Sequence, residues 1–334
     1  MKHFTYERAG DRTNAITQVA QNPQAKFIAG GTNFMDMWKE GVETPEHLVD
    51  IRKLRGEIRF NDGVLRLDAS TTNSQVAYHA QVRDRYPVLS QAILAGASPQ
   101  LRNMATTGGN LMQRNRCSYF HDVSYPCNKR QPNSGCPAIE GINRMHAIFG
   151  TSDRCIAAHP SDMCVALAAL GAVVQTRKPN GEERSIAFED FHLLPGDTPE
   201  IETALEHGEL IEAVEIPSLP WAKRSHYLKV RDRHSYAYAL VSAAVALEIE
   251  GDKIVNVRVA MGGVGTKPWR SKTAELALVN MTANEESFIA AAEAALQGAQ
   301  PYRYNAFKID LAKSTLVQAL LTTAALNDRT LNTG

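Results

Sequence analysis

The chain has 334 residues, 44% of them hydrophobic, enough to bury a substantial core in two or three domains. Lys plus Arg and Asp plus Glu both total 36, so no global field favours nucleic acid or an anionic membrane surface. No apolar run approaches the ~20 residues that span a bilayer, and Met1-Lys2-His3-Phe4-Thr5-Tyr6-Glu7-Arg8 lacks the apolar core of a signal peptide, which predicts a chain made and folded in the cytoplasm.

In chain order, a helix is predicted around Asp11 to Gln21, followed by the β-prone run Lys26-Phe27-Ile28-Ala29. That run ends in Gly30-Gly31-Thr32-Asn33, and a helix is predicted from Phe34 toward Glu40. Paired glycines at a strand end read as a plain tight turn, or as backbone that can approach a pyrophosphate closely with Thr32 and Asn33 adding hydrogen bonds. The doublet is neither G-x-G-x-x-G nor a Walker A loop, which excludes the Rossmann and P-loop readings. A strand ending at Leu48-Val49-Asp50-Ile51, an alternating strand Val64 to Ala69 and a helix from Ser74 toward Asp84 are predicted next. Then Met104-Ala105-Thr106-Thr107-Gly108-Gly109-Asn110-Leu111 repeats the small-hydroxyl, double-glycine, asparagine pattern, and two such turns can grip opposite sides of one extended dinucleotide.

Four of the five cysteines follow at once: Cys117, Cys127, Cys136 and Cys155, spaced C-x9-C-x8-C-x18-C. Pro126, Pro132, Gly135 and Pro137 exclude one continuous helix or strand here. In a reducing compartment clustered thiols are metal ligands more often than disulfides. The absence of C-x-x-C argues against an ordinary zinc finger, and the spacing is not that of compact bacterial ferredoxins; an iron–sulfur cluster, zinc and unligated thiols all remain open at this point. Arg102, Arg114, Arg116, Lys129, Arg130, Arg144 and Arg154 outnumber the local acids, which predicts a field favouring thiolates. With four cysteines available, His121, His146 and His159 are expected in surface or loop roles. Cys164 lies in Ser161 to Gly171, a short helix with a capping start and a glycine stop, and is assigned to the core. Asp162 opens that helix, either as a cap or as a partner for a ribose or another cofactor hydroxyl.

Val173 to Thr176 before Asn180-Gly181 predicts a hairpin, and Pro217, Pro220 and Trp221 mark a boundary. Beyond it, Ala239 to Ile249, Gly251-Asp252 and Lys253 to Met261 predict strand, turn and strand, with helices over Ser287 to Gln297 and Asp310 to Ala325. His226, Tyr227 and Tyr236 are expected in ordinary core or surface places.

Lys26 to Phe34, Thr106 to Leu111 and His159-Pro160-Ser161-Asp162 resemble the FAD-binding subunit of molybdenum hydroxylases, the relatives of xanthine dehydrogenase, carbon monoxide dehydrogenase and 4-hydroxybenzoyl-CoA reductase. The likeness continues through Leu210 to Pro217, Tyr227 to Val230 and Met261 to Arg270, nearly the whole chain. Most of that family lacks the cysteine insertion; a minority carries an extra [4Fe–4S] cluster there, and the chain is most similar to the branch of periplasmic aromatic aldehyde oxidoreductases. The resemblance implies an α+β fold: a two-subdomain PCMH-type FAD-binding fold (residues 1–60 and 61–220, with an iron–sulfur loop at about 112–155), then a small α+β C-terminal domain at 223–330 with an antiparallel sheet and helices.

The resemblance also implies two cofactors, FAD and a [4Fe–4S] cluster held by Cys117, Cys127, Cys136 and Cys155. Lys26, Phe27, Ile28, Ala29, Gly30, Gly31, Thr32, Asn33 and Phe34 would wrap the FAD pyrophosphate. Thr106, Gly108, Gly109 and Asn110 would close over it, with Gly96 nearby. Asp162 would bind a polar part of the cofactor, Ile211 would pack near it, and Lys229 would approach the isoalloxazine or ribityl oxygens. Gly96 departs from the pattern, standing where some relatives place an aromatic, so stacking is not expected from it. No catalytic residue is expected in this chain, because substrate is oxidised at a pterin-bound metal in another subunit. The implied role is an electron-transfer subunit working with a molybdenum cofactor-binding large subunit, a [2Fe–2S] small subunit and an external electron acceptor. Such a complex would be periplasmic, exported folded on a partner's signal. The competing readings are a self-sufficient flavin oxidase on the same fold and a non-redox scaffold with a zinc-bound cysteine loop.

Overall fold

The computed structural model describes residues 3–326; the outermost residues of the predicted first and last domains, 1–2 and 327–330, lie outside the described residues. Three sheets follow one another along the chain. In the first, β1 (Thr5–Arg8), β2 (Ala25–Ile28) and β3 (His47–Asp50) run parallel in the order β1-β3-β2. The helix predicted near Asp11 spans Arg12–Ala20, and Asp11 caps it by accepting from the Asn14 N–H at 2.8 Å.

The second sheet is antiparallel. Its strands are β4 (Ile58–Asn61), β5 (Val64–Asp68), β6 (Val173–Arg177), β7 (Glu183–Ala187) and β8 (Leu210–Ile216), in the order β4-β5-β8-β6-β7. The hairpin expected around Asn180-Gly181 is β6–β7, with Gly181 at φ +88°. The helix expected from Ser74 toward Asp84 is two helices, Asn73–Tyr78 and Ala80–Arg85, broken at His79, whose backbone is extended. The break lets Val76, Ala77 and Val82 all turn inward against the helix Pro87–Ala95.

Beyond the 3₁₀ turn Pro220–Lys223, the third sheet is again antiparallel: β9 (Ser225–Val230), β10 (Val241–Glu250), β11 (Lys253–Gly262) and β12 (Trp269–Arg270), ordered β12-β11-β10-β9. Helices Lys272–Leu278, Glu285–Ala295 and Phe307–Ala325 complete its core with Phe288, Leu316 and Leu320, each fully buried. The Asp162–Leu170 helix sits between the second and third sheets, against β10, β11 and the Pro87–Ala95 helix. Every one of its nine residues is buried: after Asp162, whose charge is met by Lys229, it is apolar all round and has no face left for water. Cys164 is 0% exposed within it, as its sequence context implies. Ser161 caps the helix by accepting from the Cys164 N–H at 3.1 Å, and Gly171 ends it at φ +64°.

The last helix also reaches back across the chain. Lys308 is fully buried, and its Nζ donates to the carbonyls of His146 at 2.9 Å and Gly263 at 2.7 Å. Burial, with a smaller contribution from Arg144, lowers its pKa from 10.5 to about 7. Between those two values the unfolded chain holds a proton that the folded one has released, so this residue makes stability rise with pH across that window. Lys308→Met is expected to flatten the rise, seen as the difference between wild-type and variant urea midpoints from pH 7 to pH 10; parallel curves would refute the buried-lysine account.

Candidate cofactor site and cysteine centre

The two glycine doublets meet through backbone. A Cβ on Gly30 would lie 1.9 Å from the Met104 carbonyl oxygen, so only glycine allows the first doublet to lie against the segment leading into the second. Residues 27–35 are all half-buried, the run of partial exposure that a groove wall has and a core strand lacks. The second doublet is not a free turn: Gly108 and Gly109 sit in a short helix, Thr107–Leu111, capped by Thr106 Oγ1 accepting from the Gly109 N–H at 3.1 Å. A β-carbon on Gly108 would meet Ala69 Cβ at 3.0 Å, and the Thr107 and Gly108 N–H groups donate to the Thr71 and Ala69 carbonyls, both at 2.8 Å. The segment is thereby sewn to the chain that leaves the end of β5 in the second sheet.

From there a continuous polar path leads to the buried helix start. Ser161 Oγ donates to Asn110 Oδ1 at 2.5 Å. The neighbouring Asp162 accepts from Lys229 Nζ at 2.7 Å and from the Tyr227 hydroxyl at 2.6 Å; that hydroxyl also lies 2.9 Å from Ser242 Oγ. Lys229 and Asp162 side chains are 4% and 8% exposed, so their charges compensate each other away from water. The helix N-terminus adds favourable potential at the carboxylate. Gly96 borders the pair, since a Cβ there would come within 3.1 Å of Asp162 Oδ2. Burial and the adjacent Asp162 carboxylate hold the Tyr227 phenol well above its ordinary pKa, so it stays protonated and available to donate.

Asp162 opens onto a cavity of ≈ 190 Å³ whose wall includes Arg116, Cys117, His146, Tyr238, Ser242 and Gly263. Lys229 is not among its lining residues; its ammonium is turned to Asp162 and to the Ala95 carbonyl at 3.2 Å. Lys26 is likewise turned aside, ion-paired with Glu43. Ile211 lies on β8 inside the hydrophobic core, Phe27 packs on the small core of the first sheet, and the Phe34 ring tilts against Trp38.

The cysteine segment is irregular, as its prolines require; between Met112 and Ser161 it holds one short helix, Ser118–His121. Asparagine side chains serve its backbone in place of a ladder. Asn115 Oδ1 accepts from the Cys117 N–H at 2.9 Å, Asn128 joins the Gly135 N–H to the Arg154 carbonyl, and Asn143 donates to the Ala138 and Ile139 carbonyls. All three asparagines are buried. Cys117, Cys127, Cys136 and Cys155 together line one small second cavity, with no disulfide among them. Cys117 and His146 line both cavities.

One expectation for this segment needs correction. The cationic side chains do not suffice to make the thiols thiolates: Arg114 pairs with Glu43 and Glu202, Lys129 with Glu202, Arg116 with Asp36 and Arg144 with Asp232, although Lys129 still lowers the Cys155 pKa. Burial outweighs this and pushes Cys117 up to about 12 and Cys155 to about 11, with repulsion from neighbouring cysteines adding to it, so these two bare thiols are protonated at neutral pH. His146 lies in the loop, one of the two places expected for it, but it is buried there and not at the surface. It is 5% exposed, and its Nε2 lies 3.1 Å from Cys117 Sγ.

Among the described residues, the His, Cys, Asp and Glu ligand atoms that group within 4.8 Å of one another are those of His159, Cys164 and His192; the four loop cysteines form no such group. In the histidine pair, the Ser161 N–H donates to His159 Nδ1 and His192 Nε2 donates to the Leu111 carbonyl. The rings lie edge to face with centroids 4.5 Å apart, and His159 Nε2 and His192 Nδ1 are both buried without a hydrogen-bond partner.

A profile for the FAD binding domain in molybdopterin dehydrogenase matches residues 2–219, and one for the CO dehydrogenase flavoprotein C-terminal domain matches residues 226–323. The chain is an FAD-binding subunit of the molybdenum hydroxylase family. It is 50% identical over 322 residues to the aldehyde oxidoreductase FAD-binding subunit PaoB of Escherichia coli strain K12, covering 96% of this chain and 98% of that one. It is 26% identical to the carbon monoxide dehydrogenase medium chain of Afipia carboxidovorans, over 83% of this chain and 80% of the other. A chain of quinoline 2-oxidoreductase from Pseudomonas putida 86 superposes with a TM-score of 0.75 at 26% identity, covering 97% and 98% of the two chains. The mixed helix–strand architecture and antiparallel C-terminal sheet of this FAD-binding subunit are those expected from its sequence.

Within the FAD-binding subunit, the structure links Gly30, Thr106, Gly108, Gly109, Asn110, Gly96, Asp162 and Lys229 through one path of contacts, and it gathers the four cysteines around one cavity. Sequence reasoning missed Arg116, Tyr238, Ser242 and Gly263 as cavity wall. The signal for the last was a third glycine doublet, Gly262-Gly263: Gly263 stands at φ +72°, and a Cβ on Gly262 would lie 2.4 Å from Ser242 Oγ.

Proposed function

We propose that this chain is the FAD- and [4Fe–4S]-carrying electron-transfer subunit of a molybdenum-dependent aldehyde oxidoreductase. The observation that carries this reading is that four cysteines of one irregular loop line a single cavity, which shares Cys117 and His146 with the cavity under Asp162. A single zinc ion needs its sulfurs about 3.8 Å apart, from Zn–S bonds of about 2.3 Å in a tetrahedron. The loop cysteines are not grouped that tightly, whereas a four-iron cluster sets its ligands further apart around a shared centre. The aldehyde class of substrate follows the 50% identical relative.

Residues 26–34 and Thr106, Gly108, Gly109 and Asn110 would hold the FAD pyrophosphate, where glycine permits close backbone approach. Asp162, fixed by Lys229 and Tyr227, would accept from a cofactor hydroxyl. FAD supplies a two-electron store that is filled and emptied one electron at a time. The chain's own part is to hold this store beside the cysteine centre and to bury the ion pair that anchors it. The proposed partners are a molybdenum cofactor-binding large subunit, a [2Fe–2S] small subunit and an external electron acceptor. The proposed location is the periplasm, reached folded on a partner's signal. No helix among the described residues is long and apolar enough to cross a membrane.

The test is FAD, iron and acid-labile sulfide quantified on anaerobically purified protein, with each loop cysteine replaced in turn. One FAD, four irons and four sulfides are expected, with the iron lost in Cys117→Ser, Cys127→Ser, Cys136→Ser and Cys155→Ser and retained in Cys164→Ser. Zinc in place of iron would remove the cluster from the reading, and well-folded protein without flavin would overturn it.

A further inference from the structure

We infer that His146 is a positioning residue that sets the reduction potential of the cysteine-bound cluster through a hydrogen bond from its Nε2–H to Cys117 Sγ. This rests on the [4Fe–4S] reading above. The separation is 3.1 Å, and His146 is the one side-chain donor to a loop cysteine sulfur among the described residues. The ring tautomer is selected by its partner, because an electron-rich ligating sulfur accepts and the ring must then carry its hydrogen on Nε2.

The backbone that carries the ring is anchored on both sides. The His146 carbonyl receives Lys308 Nζ at 2.9 Å and Asn305 Nδ2 at 3.2 Å, and its N–H donates to the Asn143 carbonyl at 2.9 Å. Asn143 and Asn305 are themselves 0% exposed, and the Asn143 Oδ1 accepts from the Tyr304 N–H. A clamp drawn from the C-terminal domain therefore fixes the His146 backbone at the wall between the two cavities, with ring Nδ1 buried and unpartnered and Nε2 facing Cys117.

Its chemical effect has a definite sign. A donor to a ligating sulfur stabilises the more negative, reduced cluster, and so raises the potential. Cys117 is also the loop cysteine that borders the Asp162 cavity, so the adjustment acts at the corner of the centre nearest the proposed flavin.

The experiment is an EPR-monitored redox titration of the intact complex carrying wild-type chain, His146→Leu or His146→Gln, with iron and sulfide counted in each. His146→Leu is expected to shift the cluster midpoint to more negative potential at full iron content and unchanged FAD potential, and His146→Gln, which keeps an N–H donor, to fall between. An unchanged cluster potential in an iron-replete Leu variant overturns the inference. So does a parallel shift of cluster and FAD potentials, which marks a merely structural role. If His146→Leu fails to retain iron, the Gln variant decides by the same criterion. Wild-type complex lacking this cluster's iron would instead defeat the cluster reading itself.

Discussion

Gly30→Ala is expected to yield protein that carries little or no FAD and is less stable by about 3 kcal/mol, the upper end of overpacking costs. The added carbon would lie 1.9 Å from the Met104 carbonyl oxygen and 2.6 Å from its carbon, so the clash is backbone on backbone and no rotamer can relieve it. Either the 26–34 segment or the 104–110 segment must move, and these two carry most of the residues proposed for the pyrophosphate. Gly31→Ala is the informative control. Its new Cβ would find its nearest neighbour, Met35 Cγ, at an ordinary 3.4 Å, and the strain comes only from φ +72°. It is expected to cost about 1–2 kcal/mol while leaving the two segments together. Flavin absorbance per chain and urea midpoints measure both effects; native flavin content in Gly30→Ala would show that the contact does not shape the site.

Lys229→Met is expected to destabilise the protein by about 3–5 kcal/mol, because it leaves a carboxylate buried without its counter-charge. The two side chains are 4% and 8% exposed and 2.7 Å apart, and Tyr227 then remains as the side-chain donor to Asp162. Combining Lys229→Met with Asp162→Asn removes the charge as well, and is expected to recover most of the stability without recovering FAD. That separation distinguishes a pair that merely holds the fold from one whose carboxylate faces the cofactor. If the double variant binds FAD with wild-type stoichiometry and affinity, Asp162 is not a cofactor ligand.

Much of this was legible in the chain because the signals were local. The Asp11 cap, the Asn180-Gly181 hairpin, the Ser161-to-Gly171 helix and the prolines of the cysteine loop each act through their immediate neighbours, so short stretches of sequence report them faithfully. The glycine doublets announced close approach but not against what; Gly30 meets Met104, which lies 74 positions away in the sequence. The charge environment of the cysteines misled for the same reason. Counting nearby cations cannot reveal that Glu43, Glu202 and Asp232, remote in sequence, pair with Arg114, Lys129 and Arg144, or that burial of the thiols outweighs the rest. The burial of His146 was not legible because it depends on Asn305 and Lys308, roughly 160 residues downstream. Lys229 offered a cation at a recognisable motif, and only the packed structure shows that Asp162 already engages it.

The asparagine-scaffolded loop has a temporal consequence. Its backbone finds few partners in regular ladders, and its far end is tied down by contacts from Tyr304, Asn305 and Lys308 that span 159 to 162 positions of chain. Contacts of such separation close late, since the intervening polymer must lose its freedom before they return anything. The cysteine loop is therefore expected to reach its final arrangement only once the segment Tyr304 to Lys308 has docked on it. A chain in which those contacts are missing is expected to hold the four thiols less closely together than the packed structure does.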